Sequence, residues 1–222
     1  MRKSVSFKTA LSNIRDKAED PFRILVSTIL SARTRDPVTE KVSDLLFKEY
    51  PDANSLASAR YSSVAKIIRP VNYYKGKTKK IIAASKEINS KFNGKVPNTY
   101  DKLLELPGVG RKTAGCVLVY GFNLPAIPVD VHVHRISNRI GIVNTKNPED
   151  TEKELLELYG QRDWLAVNEL FVTFGQSVCL PRNPKCTTCP LRRICDYYSR
   201  TNPKFRAKAP SSKARKSMAG HD

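Results

Sequence analysis

The stretch "LPGVGRKTAG", residues 106–115, sets two glycines around a valine and then places two cations where a helix is predicted to begin. Apolar residues recur at helical spacing on both sides of it, in "YDKLLEL" and in "KTAGCVLVYGF". The sequence therefore predicts a helix, a tight hairpin and a second helix. Pro107 is predicted to end the first helix, and Gly108 and Gly110 to adopt the positive φ values that a two-glycine hairpin demands.

The two cations of this stretch are unexpected, because the free N–H groups and the macrodipole of a helix N-terminus favour anions. We predict that the backbone N–H groups of Gly108, Val109, Gly110 and Arg111 bind a phosphate, with the charge of the Arg111 side chain beside them. Lys112 has two open interpretations. The helix dipole and Arg111 both disfavour its protonated form, which suits an amine nucleophile. The same lysine is equally suited to bind a second phosphate.

The charge of the chain indicates a polyanionic partner. Its 222 residues include 39 Lys and Arg against 21 Asp and Glu, and this net charge of +18 exceeds what solubility requires. The sequence has no uninterrupted apolar run of eighteen residues and no signal-peptide pattern. The polyanion is therefore nucleic acid or an anionic membrane surface, and no segment is predicted to span a membrane. We expect a cytoplasmic protein that associates with the nucleoid if its source is prokaryotic. Residues 200–222 hold seven Lys or Arg and almost nothing apolar, which predicts a flexible basic tail.

Helical periodicity dominates the rest of the chain, and alternating strand patterns are scarce. In "PFRILVSTILSAR", for example, one stripe contains Phe22, Leu25, Val26, Ile29 and Leu30. Further segments of this kind are "PVTEKVSDLLFKEY", "TKKIIAASKEINSKF", "VHVHRISNRI", "PEDTEKELLELY" and "RDWLAVNELFVTFGQSV". We predict an all-α fold with short polar connections.

A carboxylate follows the hairpin helix in "IPVDVHVHR", residues 127–135. Asp130 comes after a proline-closed loop and before an apolar-periodic helix, which predicts an N-cap. The helix that begins near Lys112 rises roughly 15 Å, and the linking residues reach up to about 23 Å, so the chain is long enough to return Asp130 to the start of that helix. Lys112 and Asp130 form a candidate catalytic pair, and His132 and His134 are interpreted as structural or polar-contact residues.

Four cysteines crowd into seventeen residues with the spacing Cys-x6-Cys-x2-Cys-x5-Cys: Cys179, Cys186, Cys189 and Cys195. Because disulfides are rare inside cells, this pattern predicts a metal centre, and thiolate chemistry leaves tetrahedral zinc and a [4Fe–4S] cluster both open. The first loop carries Arg182 and Lys185, which a metal-pinned loop would present to a DNA backbone. Cys116 stands apart in an apolar helix and is predicted to be buried.

Taken in order, "LPGVGRKTAG", "VDVHVHR" and the cysteine spacing resemble endonuclease III, a family of the helix-hairpin-helix DNA glycosylase superfamily. The resemblance runs over about residues 21–198. It implies two helical domains flanking a DNA-binding cleft. One is a six-helix bundle at residues 22–129 that contains the hairpin, and the other joins residues 1–21 to residues 130–199 and carries the cysteines.

The resemblance also implies catalytic residues and a cofactor. Lys112 matches the family's catalytic lysine, Asp130 matches its catalytic aspartate, and the four cysteines match the ligands of a [4Fe–4S] cluster. In the implied reaction a damaged pyrimidine is flipped out of double-stranded DNA. Lys112 then displaces the base and forms an imine at C1′, and β-elimination cleaves the strand, there or at an abasic site. Asp130 would stabilise positive charge on the sugar and assist proton transfers, and a monomer suffices for this chemistry.

Two positions depart from the family pattern. Bacterial endonuclease III has "LSAQATD" where this chain reads "LSARTRD", so Arg33 replaces a glutamine that fills the gap left by the flipped nucleotide. Tyr73, in "VNYYKGK", stands at the position of an intercalating leucine. Both are predicted to contact bases through cation–π and aromatic stacking, and the alternatives are a surface cation and an aromatic core residue. The preferred lesion and opposite base stay open.

Three other functions fit part of the pattern. A glycosylase of the same superfamily that is specific for thymine or uracil opposite guanine would use Asp130 to activate water, and Lys112 argues against it. A non-catalytic DNA-binding module has no need of Lys112 together with Asp130. A redox sensor would respond to loss of the cluster more than to a change of Lys112. The bifunctional glycosylase and lyase accounts for all of these residues.

Overall fold

The computed structural model describes residues 20–202, and every regular element in that part of the chain is a helix. The all-α prediction is confirmed. The chain divides into two compact units between Leu124 and Pro125, whereas the sequence places the domain boundary just before Asp130.

The described residues of the first unit form seven α-helices: α1 (Pro21–Ser31), α2 (Asp36–Glu49), α3 (Ala53–Ala57), α4 (Tyr61–Ile67), α5 (Tyr74–Phe92), α6 (Tyr100–Leu104) and α7 (Arg111–Cys116). A turn of π-helix, Val117–Gly121, continues α7. Two of the seven, α3 and α6, are only five residues long.

Helix α1 packs against α2, α5, α7 and the π-helical turn. Asp20 caps it by accepting a hydrogen bond from the N–H of Phe22 at 2.9 Å. Pro21 occupies the first turn, where a missing N–H is harmless. The apolar stripe predicted from the sequence is buried, with each member at most 5% exposed: Phe22, Leu25, Val26, Ile29 and Leu30. This burial places α1 in the core of the first unit.

Helix α5 ends at a left-handed turn. Asn93 and Gly94 have φ values of 50° and 77°, and the N–H of Gly94 donates to Ile88 O at 3.1 Å. This bond satisfies a carbonyl group of the last turn. Asn93 and Gly94 therefore end α5.

The described residues of the second unit form four α-helices: α8 (Val131–Ile140), α9 (Pro148–Leu158), α10 (Trp164–Ser177) and α11 (Asp196–Thr201). Two short 3-10 turns lie at Gln161–Asp163 and Cys186–Thr188. Helix α8 packs against the other three. The apolar core of the unit includes a cluster of buried residues: Ile127, Val129, Val133, Val143, Leu155 and Val167.

Helix α11 includes Arg200 and Thr201. The predicted tail therefore begins too early at residue 200, because the last helical turn extends past that residue. The remainder of the tail, residues 203–222, lies outside the described residues, as do residues 1–19. Between residues 20 and 202, no helix is both long and apolar enough to cross a membrane.

Candidate active site

The predicted hairpin connects α6 to α7. Helix α6 ends at Leu104, three residues before Pro107 and earlier than the sequence predicts. A proline disfavours helical backbone at the residue that precedes it, and Leu106 is already in a turn, where its N–H donates to Leu103 O at 3.2 Å. The helix-hairpin-helix arrangement itself is confirmed.

The two hairpin glycines differ in what they do. Gly108 has a φ of 85°, and a Cβ at this position would lie 2.9 Å from Cβ of Lys80, so backbone conformation and close contact both require glycine. Gly110 has a φ of −105° and caps α7, with open space where its Cβ would be. The positive φ is therefore confirmed for Gly108 and wrong for Gly110, because a single left-handed residue is enough to turn the chain into α7.

Val109 points inward between the two glycines. Its side chain is 9% exposed, and its N–H donates to Leu106 O at 3.1 Å. This amide is therefore used inside the turn. The exposed part of the hairpin is the backbone of Gly108 and Gly110.

Arg111 begins α7 and is held by Tyr100 of α6. The hydroxyl of Tyr100 donates to Arg111 O at 3.0 Å, and the guanidinium of Arg111 lies over the Tyr100 ring, 4.9 Å from its centre. Both contacts tie the two arms of the hairpin together. Tyr100 could not be identified from the sequence, because its contact with Arg111 crosses the hairpin and depends on how α6 and α7 pack.

Lys112 is the second residue of α7 and is half-buried. It therefore occupies the first-turn position that the sequence predicts, at the positive end of the helix dipole. The helix sinks into the core one turn later, where Cys116 is 1% exposed. The prediction that Cys116 is buried is confirmed.

Asp130 lies in the second unit, at the N-cap of α8. Its Oδ1 accepts hydrogen bonds from the N–H groups of His132 at 2.8 Å and Val133 at 2.9 Å. The predicted capping role is confirmed. The two bonds use one carboxylate oxygen and fix the orientation of the group.

His132 and His134 make polar contacts within the second unit. Nδ1 of His132 lies 3.1 Å from Nη2 of Arg135, and Nδ1 of His134 lies 2.7 Å from Oγ1 of Thr151. A Cβ at Gly175 of α10 would collide with the His132 ring. These contacts agree with the structural interpretation of both histidines.

Arg33 and Tyr73 lie together at the surface of the first unit. Arg33 follows α1, Tyr73 caps α5, and both are exposed with left-handed φ values of 56° and 59°. Nη1 of Arg33 donates to the Tyr73 hydroxyl at 3.4 Å, and the guanidinium lies 5.7 Å from the ring centre. The alternative of an aromatic core residue is wrong for Tyr73, because 67% of its surface is exposed.

The four cysteines lie in the second unit, where they are partly buried and not bridged by disulfides: Cys179, Cys186, Cys189 and Cys195. Burial raises the pKa of Cys186, and the charges of the other three thiols raise it further. Burial is also the main cause that raises the pKa of Cys189. Two of the four also lie beside the same residue, because Sγ of Cys195 donates to Arg139 O at 3.4 Å and Sγ of Cys179 lies 3.5 Å from Nη1 of Arg139.

Arg139 of α8 connects that helix to the cysteine loop. Its Nη1 lies 3.5 Å from Sγ of Cys179 and donates to Leu180 O at 2.7 Å. Its guanidinium also lies over the ring of Tyr197, 4.6 Å from the centre. These contacts tie α8 to the loop that carries the first cysteine.

The four cysteines are a candidate set of metal ligands. Within residues 20–202, no three His, Cys, Asp or Glu side chains are arranged around one metal position. Arg182 and Lys185 are both exposed in the loop between the first two cysteines.

Comparisons with known proteins match most of the chain. A model described as the HhH-GPD superfamily base excision DNA repair protein matches residues 26–161. Endonuclease III of Thermotoga maritima is 46% identical over 184 residues, which cover 83% of this chain and 86% of that protein.

Two solved structures share the fold. A trapped covalent intermediate of endonuclease III with DNA superposes with a TM-score of 0.79 at 30% identity, covering 86% of this chain and 95% of that chain. A thermostable thymine-DNA glycosylase gives a TM-score of 0.73 at 25% identity, covering 86% of this chain and 94% of that chain.

The helical fold, the hairpin between α6 and α7 and the match to residues 26–161 define a base excision DNA repair protein of the HhH-GPD superfamily. Within this superfamily, the sequence is 46% identical to endonuclease III of Thermotoga maritima over most of both proteins. The chain belongs to the endonuclease III family.

Proposed function

We propose that Lys112 is the nucleophile and Asp130 the assisting carboxylate of this protein. The chain is a DNA glycosylase and abasic-site lyase of base excision repair, the activity of its family. The observation that carries the residue assignment is the place of Lys112, in the first turn of α7 directly behind the hairpin. A related endonuclease III has been trapped in a covalent intermediate with DNA, and a lysine amine is a group that forms such a bond with a sugar carbon.

The reaction requires an unprotonated amine. Nζ of Lys112 attacks C1′ of the flipped nucleotide, the bond from C1′ to the base breaks, and the base leaves with the electron pair and takes up a proton. The nitrogen loses a proton and the sugar ring opens, which gives the imine. Removal of a proton from C2′ then breaks the bond from C3′ to oxygen, and the phosphate of the downstream strand leaves. Water finally hydrolyses the imine and restores Lys112.

Asp130 is assigned the electrostatic part of the reaction. Positive charge develops on the sugar as the base departs, and a carboxylate with a fixed orientation stabilises it without having to reorganise. The backbone N–H groups of His132 and Val133 provide that orientation. The same carboxylate is also assigned the transfer of protons during imine formation.

The hairpin is assigned the binding of a DNA phosphate. Gly108 and Gly110 expose backbone without side chains, so a phosphate can approach closely. The buried side chain of Val109 anchors the turn, and Arg111 adds charge while it is held by Tyr100. Duplex DNA that contains a damaged base or an abasic site is the partner, and the protein acts on it as a monomer.

Two further pairs are assigned to DNA. Arg33 and Tyr73, already in contact with each other, fill the gap left by the flipped nucleotide and stack on the neighbouring bases. Arg182 and Lys185 are exposed on the cysteine loop and contact the phosphate backbone.

The cysteines are assigned to a [4Fe–4S] cluster. Four partly buried cysteines without disulfides fit the chemistry of such a donor set. Arg139 lies beside two of them, with its Nη1 3.5 Å from Sγ of Cys179 and its carbonyl oxygen 3.4 Å from Sγ of Cys195. The ligands would be Cys179, Cys186, Cys189 and Cys195. When bound, the cluster would supply a rigid, redox-active centre that pins the loop carrying Arg182 and Lys185.

Damaged, oxidised pyrimidines are the proposed bases. The fold shared with a thymine-DNA glycosylase favours a second candidate, the removal of thymine or uracil opposite guanine. The two candidates differ in their substrates and not in Lys112, so one panel of duplexes separates them.

Borohydride trapping tests the assignment. The reagent reduces an imine to a stable amine, so protein and DNA become covalently linked. The purified protein is incubated with duplexes that carry thymine glycol, an abasic site, or thymine or uracil opposite guanine. We expect an adduct with thymine glycol and with the abasic site. Lys112→Gln should abolish the adduct and lower strand cleavage by roughly a thousandfold or more, as loss of a nucleophile does.

Lys102→Gln is the matched control, because it removes the same charge from an exposed lysine of α6. It should trap like the wild type, whereas Asp130→Asn should bind the duplex and release base much more slowly. Base release without any adduct would replace the lysine mechanism by water activated at Asp130. Binding without base release on any duplex would leave a DNA-binding module. Base release only opposite guanine would establish the mismatch activity.

A further inference from the structure

Two residues with unfavourable backbone conformations face each other at the surface of the first unit. Arg33 and Tyr73 both have left-handed φ values, 56° and 59°. A side chain with a Cβ is disfavoured in this region, and such a conformation persists only where surrounding contacts impose it. The contacts that hold these two residues are therefore informative.

Lys77 supplies the first of these contacts. Helix α1 ends just before Arg33 and leaves carbonyl groups of its last turn without partners in the helix. Nζ of Lys77 donates to three oxygens there: Leu30 O at 2.7 Å, Ala32 O at 2.5 Å and Thr34 Oγ1 at 3.1 Å. Because Lys77 is 6% exposed, a buried cation from α5 caps α1 and holds both sides of the turn around Arg33.

Asn72 supplies the second contact. Its Nδ2 donates to Arg33 O at 2.5 Å, so it binds the carbonyl group of the strained residue itself. Asn72 immediately precedes Tyr73, and the N–H of Lys77 donates to Tyr73 O at 3.1 Å. The backbones of Arg33 and Tyr73 are therefore held by the same short segment, residues 72–77.

We propose that Lys77 and Asn72 are positioning residues that preassemble Arg33 and Tyr73 into a single wedge for the DNA duplex. The inference rests on the proposed function, because it assumes that Arg33 and Tyr73 fill the gap beside the flipped nucleotide. A wedge that is already ordered enters the base stack without first ordering two separate loops. More of the binding free energy then goes into unstacking the bases.

Fold stability alone does not account for Asn72. Its side chain is exposed and reaches a turn 39 positions away in the sequence. An exposed hydrogen bond contributes little to folding, yet this one fixes the peptide that follows Arg33. Lys77 satisfies the end of α1, and Asn72 sets the direction in which Arg33 leaves it.

The test measures base unstacking separately from chemistry. The intact, purified protein is titrated into a duplex that carries tetrahydrofuran, an unreactive abasic-site analogue, with 2-aminopurine as the opposite base. The fluorescence of 2-aminopurine rises when it is unstacked, so the amplitude at saturation reports the wedge and the midpoint reports affinity. We expect Lys77→Met and Asn72→Ala to lower the unstacked-to-stacked ratio roughly fivefold, the factor that one typical hydrogen bond produces in an equilibrium.

Lys86→Met is the matched control, because it makes the same substitution at an exposed lysine of α5. It should keep the full amplitude. The double variant Arg33→Ala/Tyr73→Ala should lose the amplitude, and adding Lys77→Met to it should change nothing further, because positioning residues act only through the groups they position. A further loss of fluorescence amplitude on adding Lys77→Met to the double variant would overturn the proposal. Full amplitude in folded Lys77→Met and Asn72→Ala would also overturn it. If Lys77→Met does not fold, Asn72→Ala decides the outcome.

Trapping and fluorescence together separate loss of the chemistry from loss of the positioning. Absence of a borohydride adduct in the wild type contradicts the proposed function. A wild-type adduct, together with unchanged 2-aminopurine fluorescence in Asn72→Ala, contradicts only the positioning role.

Discussion

The hairpin between α6 and α7 and the turn that follows α1 both present residues assigned to DNA, but different interactions hold them. The hairpin is closed by bonds between residues three apart, such as Val109 N–H to Leu106 O. The turn around Arg33 is held by donors that come from 39 to 47 positions away. A local pattern therefore determines the first segment, and a distant helix determines the second.

The difference has a physical cause. Proline and glycine restrict or extend the backbone angles at their own positions, so a hairpin built on them forms in the same way in many surroundings. Arg33 and Tyr73 have no such intrinsic preference for left-handed backbone. The turn around Arg33 is instead held from a distance, because Lys77 donates to oxygens on both sides of it and Asn72 donates to Arg33 O.

The largest expected change in stability tests the hairpin, which local residues determine. Gly108→Ala should lower the free energy of unfolding by about 2–3 kcal/mol, since it adds a Cβ in left-handed backbone and against Lys80. Gly110→Ala should stay within about 0.5 kcal/mol, because space is open and φ is ordinary. Urea denaturation of both variants measures the difference. Equal losses of stability in the two variants would show that the turn requires glycine at position 110 as well as at position 108.

A smaller effect, the dependence of stability on pH, tests the contacts that Lys77 makes with the turn around Arg33. Burial, with the nearby charge of Lys80, lowers the pKa of Lys77 from 10.5 to about 8. Between these pH values the unfolded chain binds more protons than the folded protein, so the free energy of unfolding should rise with pH. Because solvent screening reduces the full effect, we expect the free energy of unfolding of the wild type to rise by about 1 kcal/mol relative to that of Lys77→Met.

Urea denaturation at pH values from about 7 to about 10.5 measures this difference. Below about pH 8 the amine is protonated in both states, and the difference between the two proteins should be constant. A constant difference over the whole range would mean that the three accepting oxygens hold Lys77 protonated throughout. The capping of α1 would then be stronger than its burial indicates.

The smallest effect concerns the strain at Tyr73. Asparagine tolerates left-handed backbone better than tyrosine, so Tyr73→Asn should raise the free energy of unfolding by about 0.5 kcal/mol, after the lost contact with Arg33 is allowed for. Tyr73→Phe keeps the ring and the strain and should change stability little. Thermal unfolding of both variants checks this. A loss of stability in Tyr73→Asn would show that the contact with Arg33 outweighs the strain.

Several features of this protein follow from its sequence alone. The apolar period predicts α1 and its buried stripe, because a helix in a folded chain must bury one face. Pro107 and Gly108 locate the hairpin, and Asp130 is recognisable as a cap from its place between a loop and a helix. These predictions succeed because each depends on neighbours within a few residues.

Other features were decided only by the tertiary structure. Tyr100 reaches Arg111 across the hairpin, and Arg139 reaches the cysteine loop from α8. Lys77 looks like one more surface cation in a chain of net charge +18, yet it is buried as the cap of α1. A period in the sequence shows which face of a helix is apolar, but the partner of a single polar side chain depends on which distant segment packs beside it.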